Sequence, residues 1–159
     1  MAVRYSDADI ATFLADRKPL ASDFRDTIRF RDKGASEECD VTVIGSSGTE
    51  YQIRLRRSKV NPLDFSVILA VCPTGTNAVF RLRRYNGKSH EHTNSLERQR
   101  FFEFHIHQAT QRYQEVGPRE DKYAEITSGY SDLWTALDCM LKDCGFVTAP
   151  DIQLRLPEE

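Results

Sequence analysis

All four histidines of the chain fall between His90 and His107, in HEHTNSLERQRFFEFHIH, as two HxH pairs. Imidazole changes charge near neutral pH, and its neutral form is a common metal ligand. The cluster therefore admits two chemistries. In the first, one imidazole takes a proton from a nucleophile such as an RNA 2′-hydroxyl, and another returns one to the leaving 5′-oxygen. Guanidinium groups stabilise the charge developing on the phosphate, and the expected product is a 2′,3′-cyclic phosphate. In the second, His105 and His107, two apart on a strand, grip one ion. His90 or His92 then completes a nitrogen set for Zn²⁺ or another transition metal. Arg81 and Arg83 stand against an unneutralised dication, and no Asp/His spacing matches a familiar metallohydrolase pattern. The preferred expectation is metal-independent chemistry without a cofactor.

The arginines recur in a pattern of their own. RLRR occurs twice, at 54–57 and 81–84, each time where the hydrophobic period is two. Tyr51, Ile53 and Leu55 alternate with Gln52, Arg54 and Arg56; Phe80 and Leu82 alternate with Arg81 and Arg83. Successive strand residues face opposite ways, so one sheet face would collect Arg54, Arg56, Arg81, Arg83, Glu103, His105 and His107. The loop holding His90 and His92 leads into that strand. Tyr85 and Tyr113 are candidates to stack on single-stranded bases. The plainer reading of the arginine rows is a solvated face paired with acids such as Glu50, Glu91 and Glu103.

Several functions are excluded by what is missing. The sequence has no Gly-rich phosphate loop, no GxGxxG opening a helix and no GxSxG elbow. Cys39, Cys72, Cys139 and Cys144 form no CxxC pair and read as buried free thiols. No apolar run approaches the ~20 residues of a membrane span. MAVRYSDADI lacks an apolar signal-peptide core, so the expected compartment is the cytoplasm.

The net charge of −2 conceals an asymmetry. Residues 50–100 hold 10 Lys+Arg against 4 Asp+Glu, whereas residues 101–159 hold 5 against 11. Arginine outnumbers lysine 16 to 6, which suits bidentate contact with phosphate or carboxylate. A basic middle points to an anionic partner.

Ser6 caps a helix with Asp9 at its third position, and Ile10, Phe13 and Leu14 fall at helical spacing. LASDFRDTIRF remains open between helix and strand. CDVTVIG, TEYQIRLRRSK, FSVILAVC, AVFRLRRYNG and FFEFHIHQATQRY read as strands, and YAEIT as a candidate short one. KSHEHTNSLERQR reads as a polar loop. SDLWTALDCMLKDCG is a helix closed by Gly145, and APDIQLRLPEE is a candidate edge strand. Short connections imply an antiparallel meander. The expectation is a single α+β domain over residues 1–159: an antiparallel sheet of about five strands with N- and C-terminal helices packed on one face.

The run FRLRRYNGKSHEHTN…FFEFHIHQATQRY…YAEIT…YSDLWTALDCML resembles a small group of bacterial proteins that share an HxHTN…FHIH pattern. More distantly it is similar to the TumE-type toxins of toxin–antitoxin systems. The similarity spans roughly residues 79–144 and places Arg83, His90, His105 and His107 at motif positions. It implies a small α+β ribonuclease neutralised by an antitoxin protein. The joint expectation is an RNA-acting endoribonuclease. His105 and His107 form its acid–base pair, assisted by His90 and His92. Arg81 and Arg83 hold the phosphate, Arg54 and Arg56 extend the track, and Tyr85 lies at the substrate. The alternatives are a non-enzymatic nucleic-acid or protein-binding module of a phage or defence system, and a metal-dependent hydrolase with His ligands.

Overall fold

The structure is a computed structural model that describes residues 3–148. Its elements are α1 (Asp7–Ala15), β1 (Lys18–Leu20), a 3-10 turn (Phe24–Thr27), β2 (Arg31–Asp32), β3 (Ser36–Ile44), β4 (Glu50–Ser58), β5 (Phe65–Val71) and β6 (Phe80–Asn86). Then follow β7 (His92–Asn94), β8 (Gln99–Phe101), β9 (His105–Gln108), α2 (Gln111–Val116), β10 (Tyr123–Ile126), α3 (Leu133–Asp143) and β11 (Phe146–Thr148). The segment read as a candidate edge strand, APDIQLRLPEE, lies outside the described residues. Among the described residues, no helix is long and apolar enough to cross a membrane.

Seven antiparallel strands form the main sheet, in the order β10-β9-β6-β5-β4-β3-β2. That is two more than expected. β2 comes from a stretch without strand period, and β10 is the YAEIT segment.

One face of this sheet is the core. Tyr51, Ile53 and Leu55 pair across β4–β5 with Val71, Leu69 and Val67, and all six are essentially inaccessible to water. Leu133, Ala136, Leu137 and Met140 of α3 belong to the same buried cluster. Each fully buried aliphatic side chain contributes about 1.5–3 kcal/mol. The opposite face of β4, β5, β6 and β9 carries Arg54, Arg56, Ser66, Arg84, Asn86, His105 and His107, as the register requires.

An irregularity in β6 corrects the sequence reading. Leu69 pairs with Arg83, but Ala70 pairs with Arg81, so Leu82 is an extra residue in the ladder. A bulge of this kind reverses the alternation beyond it. Arg81 therefore faces the histidine side, Arg83 and Tyr85 turn to the core side, and Arg84 takes the position expected of Arg83.

The helix ends meet on one buried lysine. The Lys18 ammonium is inaccessible to water and donates to the carbonyls of Phe13 (2.6 Å), Asp16 (2.7 Å) and Cys144 (2.7 Å). Carbonyls at helix C-termini lack intrahelical donors and carry partial negative charge. One cation thus closes the ends of both α1 and α3. Gly145 has φ +79°, and a Cβ there would sit 2.6 Å from the Asp16 carbonyl oxygen. Only glycine permits both that backbone and that approach.

Candidate metal centre

β6 and β9 pair with Arg84 opposite His107 and Asn86 opposite His105. The two histidines of HIH therefore project from the same face, as their spacing requires. The polar stretch before them is not an open loop. It folds into the β7–β8 hairpin, with His92 opposite Phe101 and Asn94 opposite Gln99. This hairpin lies over the sheet and brings His92 onto HIH. Ring centroids are 5.3 Å apart for His92–His105, 4.7 Å for His92–His107 and 5.0 Å for His105–His107. One nitrogen from each lies within 4.8 Å of the others.

Asn94 holds the hairpin down. Its amide donates to the Ala124 carbonyl at 2.7 Å and accepts from the Ala124 N–H at 2.9 Å. The side chain thus pairs with the outer edge of β10 as a strand would. This pairing fixes which end of the amide is oxygen. The same Oδ1 faces His92 Nε2 at 2.7 Å, so Nε2 carries the proton and donates.

The other two tautomers are fixed the same way. His105 Nδ1–H donates to the Glu103 carbonyl at 2.8 Å, and His107 Nδ1–H donates to the Asp121 carbonyl at 2.8 Å. A carbonyl only accepts, so both protons sit on Nδ1. The nitrogens left as lone pairs are Nε2 of His105, Nε2 of His107 and Nδ1 of His92. The first is buried with no hydrogen-bond partner. Metal-ligating histidines characteristically donate their second N–H to a carbonyl or carboxylate. All three do so here, with an amide oxygen in the role for His92.

Protonation favours ligation over proton transfer. Burial, reinforced by the Arg84 cation, pulls His107 down to about 2. Burial also lowers His105 and His92, opposed by the hydrogen bonds to Glu103 and Asn94. All three are neutral imidazoles near pH 7. Neutral imidazoles offer lone pairs that accept a proton or bind a metal ion. His90 stands apart from the convergent three. It is exposed, its Nδ1 is 3.2 Å from Ser89 Oγ, and its ring is 6.5 Å from that of His105.

The arginines divide. Arg84 is mostly buried beside His107, with Nε donating to Asp121 Oδ2 at 3.1 Å. Arg81 pairs with Glu120 at 3.1 Å through Nε and through its backbone N–H at 2.9 Å. Arg54 makes a double contact with Asp40, and Arg56 pairs with Asp64 at 2.9 Å. Arg83 and Tyr85 leave the site. Arg83 Nη1 is 4.0 Å from Asp143 of α3, and the fully buried Tyr85 hydroxyl donates to Asp143 at 2.9 Å. Tyr85 has no accessible ring on which a base could stack. Tyr113 is also buried, with its hydroxyl on Glu97 at 2.6 Å.

Sequence reading missed Asn94, Asp121, Arg84, Arg119 and Lys122. The last three line a cavity of about 310 Å³ together with His90, His92 and His107. Asp121 lies beneath it, inaccessible to water.

No family model, curated protein or solved structure matches the chain. The chemistry of the site rests on its own geometry. Three convergent imidazole nitrogens with a cavity over His92 and His107 match the donor set of catalytic zinc sites, which keep a fourth position open. A tetrahedral ion at ~2.1 Å from each nitrogen needs N···N separations of ~3.4 Å.

Proposed function

We propose that the chain is a metal-dependent hydrolase whose divalent ion is held by His92, His105 and His107. The observation that carries this reading is the convergence of three neutral imidazoles, each with its outward N–H already occupied. An ion so held supplies a Lewis acid and a water acidic enough to serve as a nucleophile near pH 7. The protein's part is to keep three lone pairs aimed at one point. Glu103, Asp121 and Asn94 do this by fixing tautomer and ring orientation. The cavity over His92 and His107 admits substrate, and Arg84, Arg119 and Lys122 give it positive charge. The test is hydrolysis of p-nitrophenyl acetate by the zinc-reconstituted chain. Activity that disappears with chelator and in His105→Ala supports the reading. Equal activity in the chelated protein overturns it.

A second reading is favoured by one observation, the exposed His90 ring on the cavity wall, 6.5 Å from that of His105. There the site cleaves RNA by proton transfer without a metal, and an antitoxin protein is the partner. Growth arrest on induced expression, with RNA cleavage that survives chelator and fails in His90→Ala, supports it. Unimpaired growth with intact RNA removes it.

A further inference from the structure

We infer that the group hydrolysed at this centre is a phosphodiester, an inference that rests on the metal-centre reading above. Charge is the first argument. Arg119 and Lys122 are exposed on the wall of the 310 Å³ cavity, and neither has a carboxylate within salt-bridge distance among the described residues. The acid lining the same cavity, Glu91, lies 3.9 Å from Arg100 instead. Arg84 adds a third cation, held in place by Asp121. Two unpaired cations beside three neutral imidazoles and a divalent ion form a strongly electropositive spot. An ionised phosphoryl group matches it, because its oxygens accept from guanidinium and ammonium while contacting the ion. A neutral ester or amide leaves those cations without a function.

Shape is the second argument. A further cavity of about 320 Å³ adjoins the first and shares Arg84, Asn86 and His90 with it. It is lined on its far side by Arg56, Asp64 and Ser66. The shared wall therefore has space on both sides. A phosphate monoester has one substituent and needs one of these cavities. A diester with its phosphorus in the first cavity, beside His92 and His107, has a second substituent to extend past Arg84, Asn86 and His90 into the other.

The reaction balances with water alone. The water oxygen forms a bond to phosphorus and the P–O bond to the leaving group breaks; one water proton ends on the departing oxygen and the other stays on the product phosphate or passes to solvent. No oxidant or reductant is required.

The experiment uses the full chain reconstituted with zinc and three chromogenic substrates: bis(p-nitrophenyl) phosphate, p-nitrophenyl phosphate and p-nitrophenyl acetate. The diester is expected to be cleaved with higher kcat/KM than the monoester. Arg119→Ala/Lys122→Ala should lower the diester kcat/KM about tenfold or more while binding the same one zinc per chain. If zinc binds and the acetate is hydrolysed, but the diester is inert or the monoester is preferred, the inference is overturned and the metal centre stands. If zinc does not bind, both fall. A labelled single-stranded RNA and the matching DNA separate the two natural sources of such a diester. Cleavage of either supports the inference, and resistance of both overturns it.

Discussion

The Asn94 side-chain amide pairs with both backbone groups of Ala124, donating at 2.7 Å and accepting at 2.9 Å. This contact closes the edge of β10 and lowers the hairpin onto the sheet. It also sets the proton of His92, because the accepting oxygen is the one His92 Nε2 meets. A structural latch and a ligand-orienting contact are thus one residue.

Asn94→Ala should therefore weaken two things together. Zinc affinity should fall about 10–100-fold, the usual effect of losing an orienting partner of a ligand. Stability should fall by ~1–3 kcal/mol, because the Ala124 groups lose their partners. Asn94→Asp keeps the acceptor for Ala124 N–H and for His92, loses the donor to the Ala124 carbonyl and to Gln99, and adds a negative charge beside His92. Its zinc affinity should lie between those of wild type and Asn94→Ala. Calorimetric zinc titration of the three proteins checks the order.

Tyr85→Phe separates the core side of β6 from the site. The hydroxyl is buried and donates to Asp143. Its loss should destabilise the protein by ~1 kcal/mol in urea unfolding. Zinc binding and catalysis should not change. A fall in kcat/KM at unchanged stability would return Tyr85 to the substrate side.

Asp121→Ala removes a buried carboxylate that faces Arg84 and, at 3.7 Å, Arg81. It leaves the Arg84 cation buried without its acid. Loss of one member of such a pair costs ~3–5 kcal/mol. Asp121→Ala/Arg84→Met removes both charges and should recover part of that loss. Denaturant midpoints of the single and double variants measure it.

Lys18 supplies a pH prediction away from the site. Burial brings its amine from 10.5 down to about 8, partly offset by Cys144 and Asp16. Between about pH 8 and 10.5 the unfolded chain holds this proton and the folded chain has released it. The unfolding free energy contributed by this group therefore rises with pH across that window, by ~3 kcal/mol at most. Lys18→Met should lack this rise. Near pH 7 it should also be less stable than wild type by ~2–4 kcal/mol, because three carbonyls lose their donor. Urea unfolding of both proteins from pH 7 to 10.5 gives the comparison.

Where the hydrophobic period was regular, the fold was legible. α1 with its Ser6–Asp9 capping box, the central strands and α3 all announce themselves this way. The shared face of His105 and His107 follows from spacing alone. The bulge at Leu82 left no mark in the alternating pattern of β6, so Arg84 rather than Arg83 stands beside the histidines only in the folded sheet. The β7–β8 hairpin left no trace. It is polar, three residues per strand, and held by the Asn94 side chain rather than by an apolar face. QATQRY carries no helical stripe and continues the strand pattern of FHIH, yet Thr110 caps it as the start of α2. Asp121 is polar and sits in a loop, and only the tertiary structure makes it buried.

His92, His105 and His107 are expected to bind one divalent ion. Cobalt(II) titration of the chelator-stripped chain, followed in the visible region, tests it most directly. The expected result is saturation at one ion per chain with the intense absorption of a tetrahedral site, lost in His92→Ala and in His107→Ala. An unchanged spectrum on titration, or the same uptake in both variants, would contradict the account.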